Sequence, residues 1–344
     1  MAEGRGLYRA GIAGCGRIAS LYETDKKARK FYEYLTHAYT LTHHPQVALV
    51  AAADSSLQRR SQFSRRWPGT NVYGSVKEMM ELEDLDILVI ATGHKSTPEI
   101  FQQAAGRVPM VMCEKPVAET PAQLRRMVIM TNQSKTTTAV NVYRNFDLSH
   151  LRVRDLMQKG TFGPITAVHA YLGKGLFNQG SHLFSYLVWL LGPVHQVLAV
   201  DRHYFHDSTE PSYDVVVEFI CGVTAFVQTV DFTDYRLFEV DVLGKGGRIT
   251  ILHEGLEFKF FKRAPNRAEG GAFELKERKP LYTSTVGRAL YHAFDDLIKA
   301  YEEGRESLFS LKQYCYTYSI LRAIEESYKK QKKIKIKKDF KWKS

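Results

Sequence analysis

The residue pattern predicts two domains of different class: an α/β half on a doubly wound parallel sheet, then an α+β half with a large, mostly antiparallel sheet flanked by helices. Three observations carry this. Apolar runs alternate with helix-compatible stretches through the first part of the chain, which is how repeated β-α units read. After about residue 150 short alternating strands follow one another directly. The 344 residues suffice for two buried cores at roughly 100 to 200 residues per domain. The boundary is drawn between 1–140 and 141–344, leaving open that the final helix and tail pack back on the first domain.

The first run, Leu7 to Ala13, ends in Gly14-Cys15-Gly16-Arg17-Ile18-Ala19 and leads into a helix-compatible stretch. Strand, glycine turn, helix is the order a dinucleotide fingerprint requires. Gly14 would make the tight turn, Gly16 would let the backbone of this segment approach a pyrophosphate, and Ala19 would allow close helix packing. The helix N-terminus would then face the anion. A second run, Val47 to Ala53, ends in Asp54, whose carboxylate could accept both ribose hydroxyls, with Ser55 beside it. Asp54 lies further from the glycines than the usual ~20 residues, which predicts an insertion of about a dozen residues within Glu23 to Tyr34, beside the nucleotide site.

Asp86 to Ala91 and Val108 to Cys113 are continuously apolar, as strands buried on both faces are, and Thr138 to Val142 is a further strand. Helices are expected over Pro98 to Ala105 and Pro121 to Thr131. Such a sheet binds ligands beyond the carboxyl ends of its strands, and Thr92, His94, Glu114 and Lys115 all fall at such ends. In the second half, strands are expected at Ile165 to Tyr171, Val194 to Asp201, Asp214 to Phe219, Thr224 to Val230, Arg236 to Leu243 and Gly247 to His253. Helices are expected at Ser181 to Leu191, Val286 to Glu303 and Leu311 to Lys330.

The chain carries 48 Lys+Arg against 37 Asp+Glu, a net +11 that would ordinarily raise nucleic acid or an acidic membrane surface as a partner. From Lys329 to Ser344 there are nine lysines against one acid, a net +8, which leaves +3 for the other 328 residues. Ile334 and Ile336 alternate with lysines there, as in an edge strand guarded against further pairing. No nucleic acid partner is therefore expected. Cys15, Cys113, Cys221 and Cys315 have no paired spacing, so neither a metal site nor a disulfide framework is expected. With no export signal and no membrane span in the sequence, a cytoplasmic location is the expectation.

Taken together, Gly14 to Ala19, Asp54, Ile90-Ala91-Thr92, Glu114-Lys115-Pro116, Tyr143-Arg144, Gly160 with Gly163 and Ile165, Gly180-Ser181-His182 before Trp189-Leu190-Leu191-Gly192, and Phe294-Asp295-Asp296 form a recognisable set. In it the chain resembles, over nearly its whole length, the glucose-fructose oxidoreductase, inositol dehydrogenase and rhizopine-catabolism (Gfo/Idh/MocA) oxidoreductases. The resemblance implies a Rossmann domain joined to an α+β domain that binds substrate and forms homodimers or homotetramers through its sheet. It also implies hydride transfer between NAD or NADP and a hydroxyl or keto carbon of a sugar or sugar nucleotide, in sugar metabolism or surface-polysaccharide biosynthesis. Lys115 would be the general acid/base, since a desolvated lysine can take a hydroxyl proton. Glu114 would orient it or touch the cofactor, and Pro116 would follow through a cis bond.

His182 matches the second polar catalytic position, where an imidazole can share the proton or hold the hydroxyl. The family often has Asp four residues before this histidine and another three after it; here stand Asn178 and Ser185. Asn178 can bind a hydroxyl but cannot take its proton. Tyr143 and Arg144 match a segment that faces substrate, and Arg144 or Lys174 could meet an anionic group. Asp54 repels a 2′-phosphate and favours NAD, while Arg59 and Arg60, one turn on, keep NADP open. Two other readings stand beside this one: an NAD-retaining glycosidase or lyase working through transient oxidation, and an inactive nucleotide-binding sensor or scaffold.

Overall fold

The structure, a computed structural model, describes residues 6–205, 210–280 and 282–337. Two compact units divide the chain: Met1–Asp147 with Gly287–Cys315, and Leu148–Val286 with Tyr316–Ser344.

In chain order the first unit contains β1 (Tyr8–Ala13), α1 (His37–His43), β2 (Val47–Ala53), α2 (Leu57–Arg66), β3 (Asn71–Tyr73), α3 (Val76–Leu82), β4 (Ile87–Ile90), α4 (Thr97–Ala104), β5 (Met110–Cys113), α5 (Pro121–Ser134) and β6 (Thr137–Val140). The strands pair all parallel in the order β3-β2-β1-β4-β5-β6. This is the doubly wound dinucleotide order, and its crevice lies where the order reverses, between β1 and β4. Ile87 to Ile90 and Met110 to Cys113 are buried at every position, which explains why they read as unbroken apolar runs.

One expectation fails immediately after β1. No α-helix follows the glycine turn directly. Gly16 to Tyr22 make a single helical turn, closed by the Ser20 N–H on the Gly16 carbonyl (3.0 Å) and the Tyr22 N–H on Arg17 (2.9 Å). The chain then leaves through 3-10 turns and re-enters at α1. There the N–H groups of His37 and Ala38 donate to the carbonyls of Ile18 (3.1 Å) and Ala19 (2.9 Å). In an unbroken helix residue 22 would donate to Ile18. Residues 22–36, fifteen in number, are thus spliced into the first helix between its first turn and its remainder. The inserted stretch is closed locally. Glu23 pairs with Arg29 and accepts from the Thr36 hydroxyl at 2.8 Å, and Arg29 lies over the Tyr39 ring at 4.4 Å.

The second unit contains α6 (Leu148–Gln158), β7 (Ile165–Leu172), α7 (Gly180–Leu191), β8 (Val194–His203), β9 (Ser212–Phe219), β10 (Thr224–Thr229), β11 (Phe238–Gly244), β12 (Gly247–Leu252), β13 (Glu257–Pro265) and β14 (Phe273–Arg278). After these come α8 (Ala289–Glu303), α9 (Leu311–Lys330) and β15 (Ile334–Lys335). The sheet order is β14-β13-β12-β11-β7-β10-β9-β8-β15, antiparallel except for the parallel pair β7 and β10. Alternating burial, as in β9 and β11, gives it one core face, packed around Leu183, Phe184, Tyr186 and Leu187 of α7. α7 is buried along almost its whole length, matching its all-round apolar sequence.

The strands β13 and β14 were not anticipated, although Phe258 and Phe260 alternate with charged residues, and β14 is exposed almost throughout. α6 was likewise missed, and the helix expected from Val286 opens as a 3-10 turn before α8. α8 belongs to the first unit, where its stripe Leu290, Ala293, Phe294, Leu297 and Ile298 packs against β5, β6 and α1. The Lys-Ile stretch forms the edge strand β15 against β8, with Lys333 on Glu218 at 2.6 Å. The last basic residues, 338–344, lie outside the described residues. No helix among the described residues is long and apolar enough to cross a membrane.

Candidate active site

The glycine turn hangs from the ends of three strands. Gly14 donates its N–H to the Ala53 carbonyl (2.7 Å) with φ at +94°, a conformation open to glycine. A Cβ on Gly14 would sit 2.9 Å from the Ala91 carbonyl oxygen. Over Gly16, by contrast, a Cβ would meet nothing within 4 Å, so the space that a pyrophosphate would take is open. Asp54 closes the turn from the end of β2. Its Oδ2 accepts the Cys15 N–H at 2.9 Å and lies 3.7 Å from Arg59, and its Oδ1 accepts the Ser56 N–H at 2.8 Å. Burial, and after it the Asp54 charge, pushes the Cys15 thiol up to about 12, so it stays protonated and inert. Arg60 is turned onto backbone, donating to the carbonyls of Asp54 (2.7 Å) and Ser55 (3.1 Å). Arg17 is exposed and lies over Tyr22 at 4.7 Å, while Ile18 is half-buried.

At the end of β4, the Thr92 hydroxyl is buried and has no hydrogen-bond partner among the described residues, as suits a group awaiting a ligand. His94 is more exposed and lies 3.7 Å from Glu119. At the end of β5, Glu114 donates its N–H to the Ile90 carbonyl, and the Lys115–Pro116 bond is cis. Glu114 Oε1 receives two hydrogen bonds, from Asn141 Nδ2 (2.6 Å) and from the ring Nε2 of His37 (2.7 Å). Its Oε2 accepts the Lys115 N–H at 3.3 Å. Lys115 is half-buried.

Tyr143 and Arg144 follow β6 in a 3-10 turn. Arg144 is buried at 3% exposure with its guanidinium 4.6 Å from the Tyr143 ring, so it is no solvated surface residue. Burial of the nearby His292 ring lowers its pKa against the opposing pull of Asp147, which lies 3.8 Å away.

In the second unit the chain between β7 and α7 folds as a π-helical turn, Gly175–Gln179, leading straight into α7. Gln179 Oε1 accepts the N–H groups of Gly173 (2.7 Å) and Lys174 (3.1 Å). Glu210 accepts those of Phe177 and Asn178, each at 2.8 Å. Ser181 Oγ donates to the Asn178 carbonyl (2.7 Å), and His182 follows, 8% exposed, in the first turn of α7. The Lys174 residue is exposed, and its ammonium stands over the Phe232 ring at 5.0 Å. Ser185 is wholly buried and donates to the Ser181 carbonyl at 2.6 Å, so it serves the helix.

Sequence reasoning missed His37, Asn141 and Glu210. Asn141 was findable as the polar residue ending a strand; His37 was hidden by the insertion, and Glu210 carries no local signal.

Sheet order, glycine turn and strand-end acid define a Rossmann fold of the dinucleotide-binding type. Residues 8–142 match the family model described as "Oxidoreductase family, NAD-binding Rossmann fold", GFO_IDH_MocA. The match spans β1 to β6 of the first unit. Among curated proteins it is 26% identical over 216 residues to 1-carboxy-3-chloro-3,4-dihydroxycyclohexa-1,5-diene dehydrogenase of Comamonas testosteroni, covering 57% of this chain and 54% of that one. It is 27% identical over 170 residues to the trans-1,2-dihydrobenzene-1,2-diol dehydrogenase of Bos taurus, covering 49% and 46%. The chain thus spans about half the length of these relatives. Its fold is that of the WlbA dehydrogenase of Bordetella pertussis, solved with NADH and UDP-GlcNAcA, at TM-score 0.76 and 19% identity over 96% of this chain and 98% of that one.

Proposed function

We propose that this protein is an NAD(P)-dependent dehydrogenase or reductase that moves a hydride between the nicotinamide and a ring CH–OH or keto carbon of a sugar or sugar nucleotide. The observation that carries the reading is Glu114-Lys115-Pro116 at the carboxyl end of β5, in the same sheet whose β1 turn is open over Gly16 and closed by Asp54. The N–H groups of Gly16 to Ile18 would hold the pyrophosphate and Asp54 the adenosine ribose. NAD is favoured over NADP, because Asp54 repels a 2′-phosphate and Arg60 is committed to carbonyls. When bound, the nicotinamide accepts or returns the hydride. Lys115 Nζ takes the proton from the hydroxyl oxygen as the carbonyl forms and returns it in the reverse direction. His182 and Asn178 have the chemistry to hydrogen-bond a hydroxyl, and Arg144 the chemistry to pair with an anionic group.

The two curated relatives are named for cyclic diols, and the WlbA complex holds a sugar nucleotide, which supports a ring hydroxyl as the reacting group. The exposed apolar residues Val200 and Phe226 on the second unit's sheet support a homo-oligomer through that face. The test is NADH formation from NAD⁺ over a panel of sugars, UDP-GlcNAcA and trans-1,2-dihydrobenzene-1,2-diol. Lys115→Ala is expected to abolish turnover and keep NADH binding. Retained turnover sinks the assignment, and product release without net NADH favours the lyase-like cycle. NADH binding with no turnover across the panel favours the sensor.

A further inference from the structure

Splicing residues 22–36 out of the first helix leaves one consequence at its resumed start. α1 begins with His37, and the pairing of its N–H to Ile18 sets the helix so that His37, Ala38 and Leu41 face the core. The His37 side chain is fully buried and its ring meets Phe294 edge-on at 5.7 Å. Its Nε2 lies 2.7 Å from Glu114 Oε1, while its Nδ1 has no hydrogen-bond partner among the described residues. An ionised carboxylate has only lone pairs to offer, so the ring hydrogen sits on Nε2 and points at Glu114. Asn141 Nδ2 donates to the same oxygen. With Oε1 held by two donors from two different elements, the carboxylate cannot rotate, and Oε2 is left facing the Lys115 N–H.

We propose that His37 is a positioning residue of the redox site: it holds the Glu114 carboxylate, and Glu114 in turn fixes the backbone that carries Lys115. The proposal rests on the dehydrogenase reading above for its effect on turnover, and on geometry alone for the contact. A histidine that merely filled space would be replaceable by phenylalanine, which has the same planar shape and lacks the donor. One that positions Glu114 would be replaceable by glutamine, whose amide keeps a donor within reach of the carboxylate.

The experiment uses the full chain in three forms: wild type, His37→Phe and His37→Gln. Proton spectra of protein labelled with ¹⁵N-histidine are expected to show one slowly exchanging, downfield imidazole N–H that His37→Phe and Glu114→Ala both remove. Its absence from the folded wild type overturns the contact. With the panel substrate that wild type turns over, His37→Phe is expected to lower kcat about tenfold or more, as a misplaced catalytic group does, with NADH Kd and KM changed less than about twofold. His37→Gln is expected to recover most of that loss. Wild-type kcat in a folded His37→Phe, or a His37→Gln as impaired as His37→Phe, overturns the positioning role. A wild type that binds no NADH refutes the dehydrogenase reading instead, and the resonance still reports the contact.

Discussion

Asp54→Ala tests both halves of what the end of β2 does. In the free protein the carboxylate has three partners of unequal worth. The Cys15 N–H is in a wholly buried residue, so removing its acceptor leaves a donor unsatisfied, at about 1 to 3 kcal/mol. The Ser56 N–H is half-exposed and water can replace the carboxylate there, at about 0.5 to 1 kcal/mol. Arg59 is 56% exposed, and its pair contributes at most about 1 kcal/mol. The first unit should lose about 2 to 4 kcal/mol, most of it from one N–H. Because two compact units need not unfold together, the readout must belong to the first unit. Cys113, fully buried in β5, provides it. Native-state alkylation of Cys113, followed by mass spectrometry, should quicken roughly 30- to 700-fold when opening is in rapid equilibrium. NADH affinity should fall as well, with NADPH falling less because a repelling charge has gone. Asp54→Asn, which keeps one acceptor oxygen, should show less than half the stability loss. A Cys113 rate within threefold of wild type would refute the reasoning.

Gly14→Ala places a Cβ 2.9 Å from the Ala91 carbonyl oxygen at φ +94°, so urea unfolding of the first unit should shift by about 2 to 4 kcal/mol even without cofactor. Gly16→Ala, where nothing stands within 4 Å, should be close to neutral in the free protein and weaken NADH binding. Of the four thiols, exposed Cys221 should react first with a disulfide reagent at pH 8, ahead of Cys15 and Cys315, which burial pushes up to about 12 and about 11. A fast-reacting Cys15 would show that the glycine turn is open. His292 has a folded pKa below its ordinary 6.5 because of burial. The folded state therefore binds fewer protons than the unfolded one in the window just under 6.5, and stability is complete above that value and declines as pH falls through it. Equilibrium unfolding between pH 7.5 and 5 should show this slope, and His292→Gln should flatten it.

Local patterns carried much of this reading. A strand buried on both faces is apolar throughout, so β4 and β5 declare themselves in Ile87 to Ile90 and Met110 to Cys113. A glycine turn needs positive φ at one position and open space at another, and those needs are met by Gly14 and Gly16, which stand next to each other but for one residue. The strand-end residues Asp54, Thr92, Glu114 and Lys115 could be named because the end of a strand is visible in sequence. Even the insertion was visible, as a spacing too long between the glycines and Asp54.

What spacing could not convey is which residues meet across long stretches of chain. His37 and Glu114 are 77 positions apart, and their contact depends on how the chain re-enters the helix it left at Tyr22, with the His37 N–H on Ile18. Glu210 reaches the backbone of Asn178 from 32 residues away, and Gly287–Cys315 belongs to the first unit although β7 to β14 of the second sheet precede it in the chain. Periodicity is set by each residue's nearest neighbours along the chain, so it marks strands, turns and buried faces; the partners of a buried carboxylate are set by packing, which brings together groups that no local rule relates.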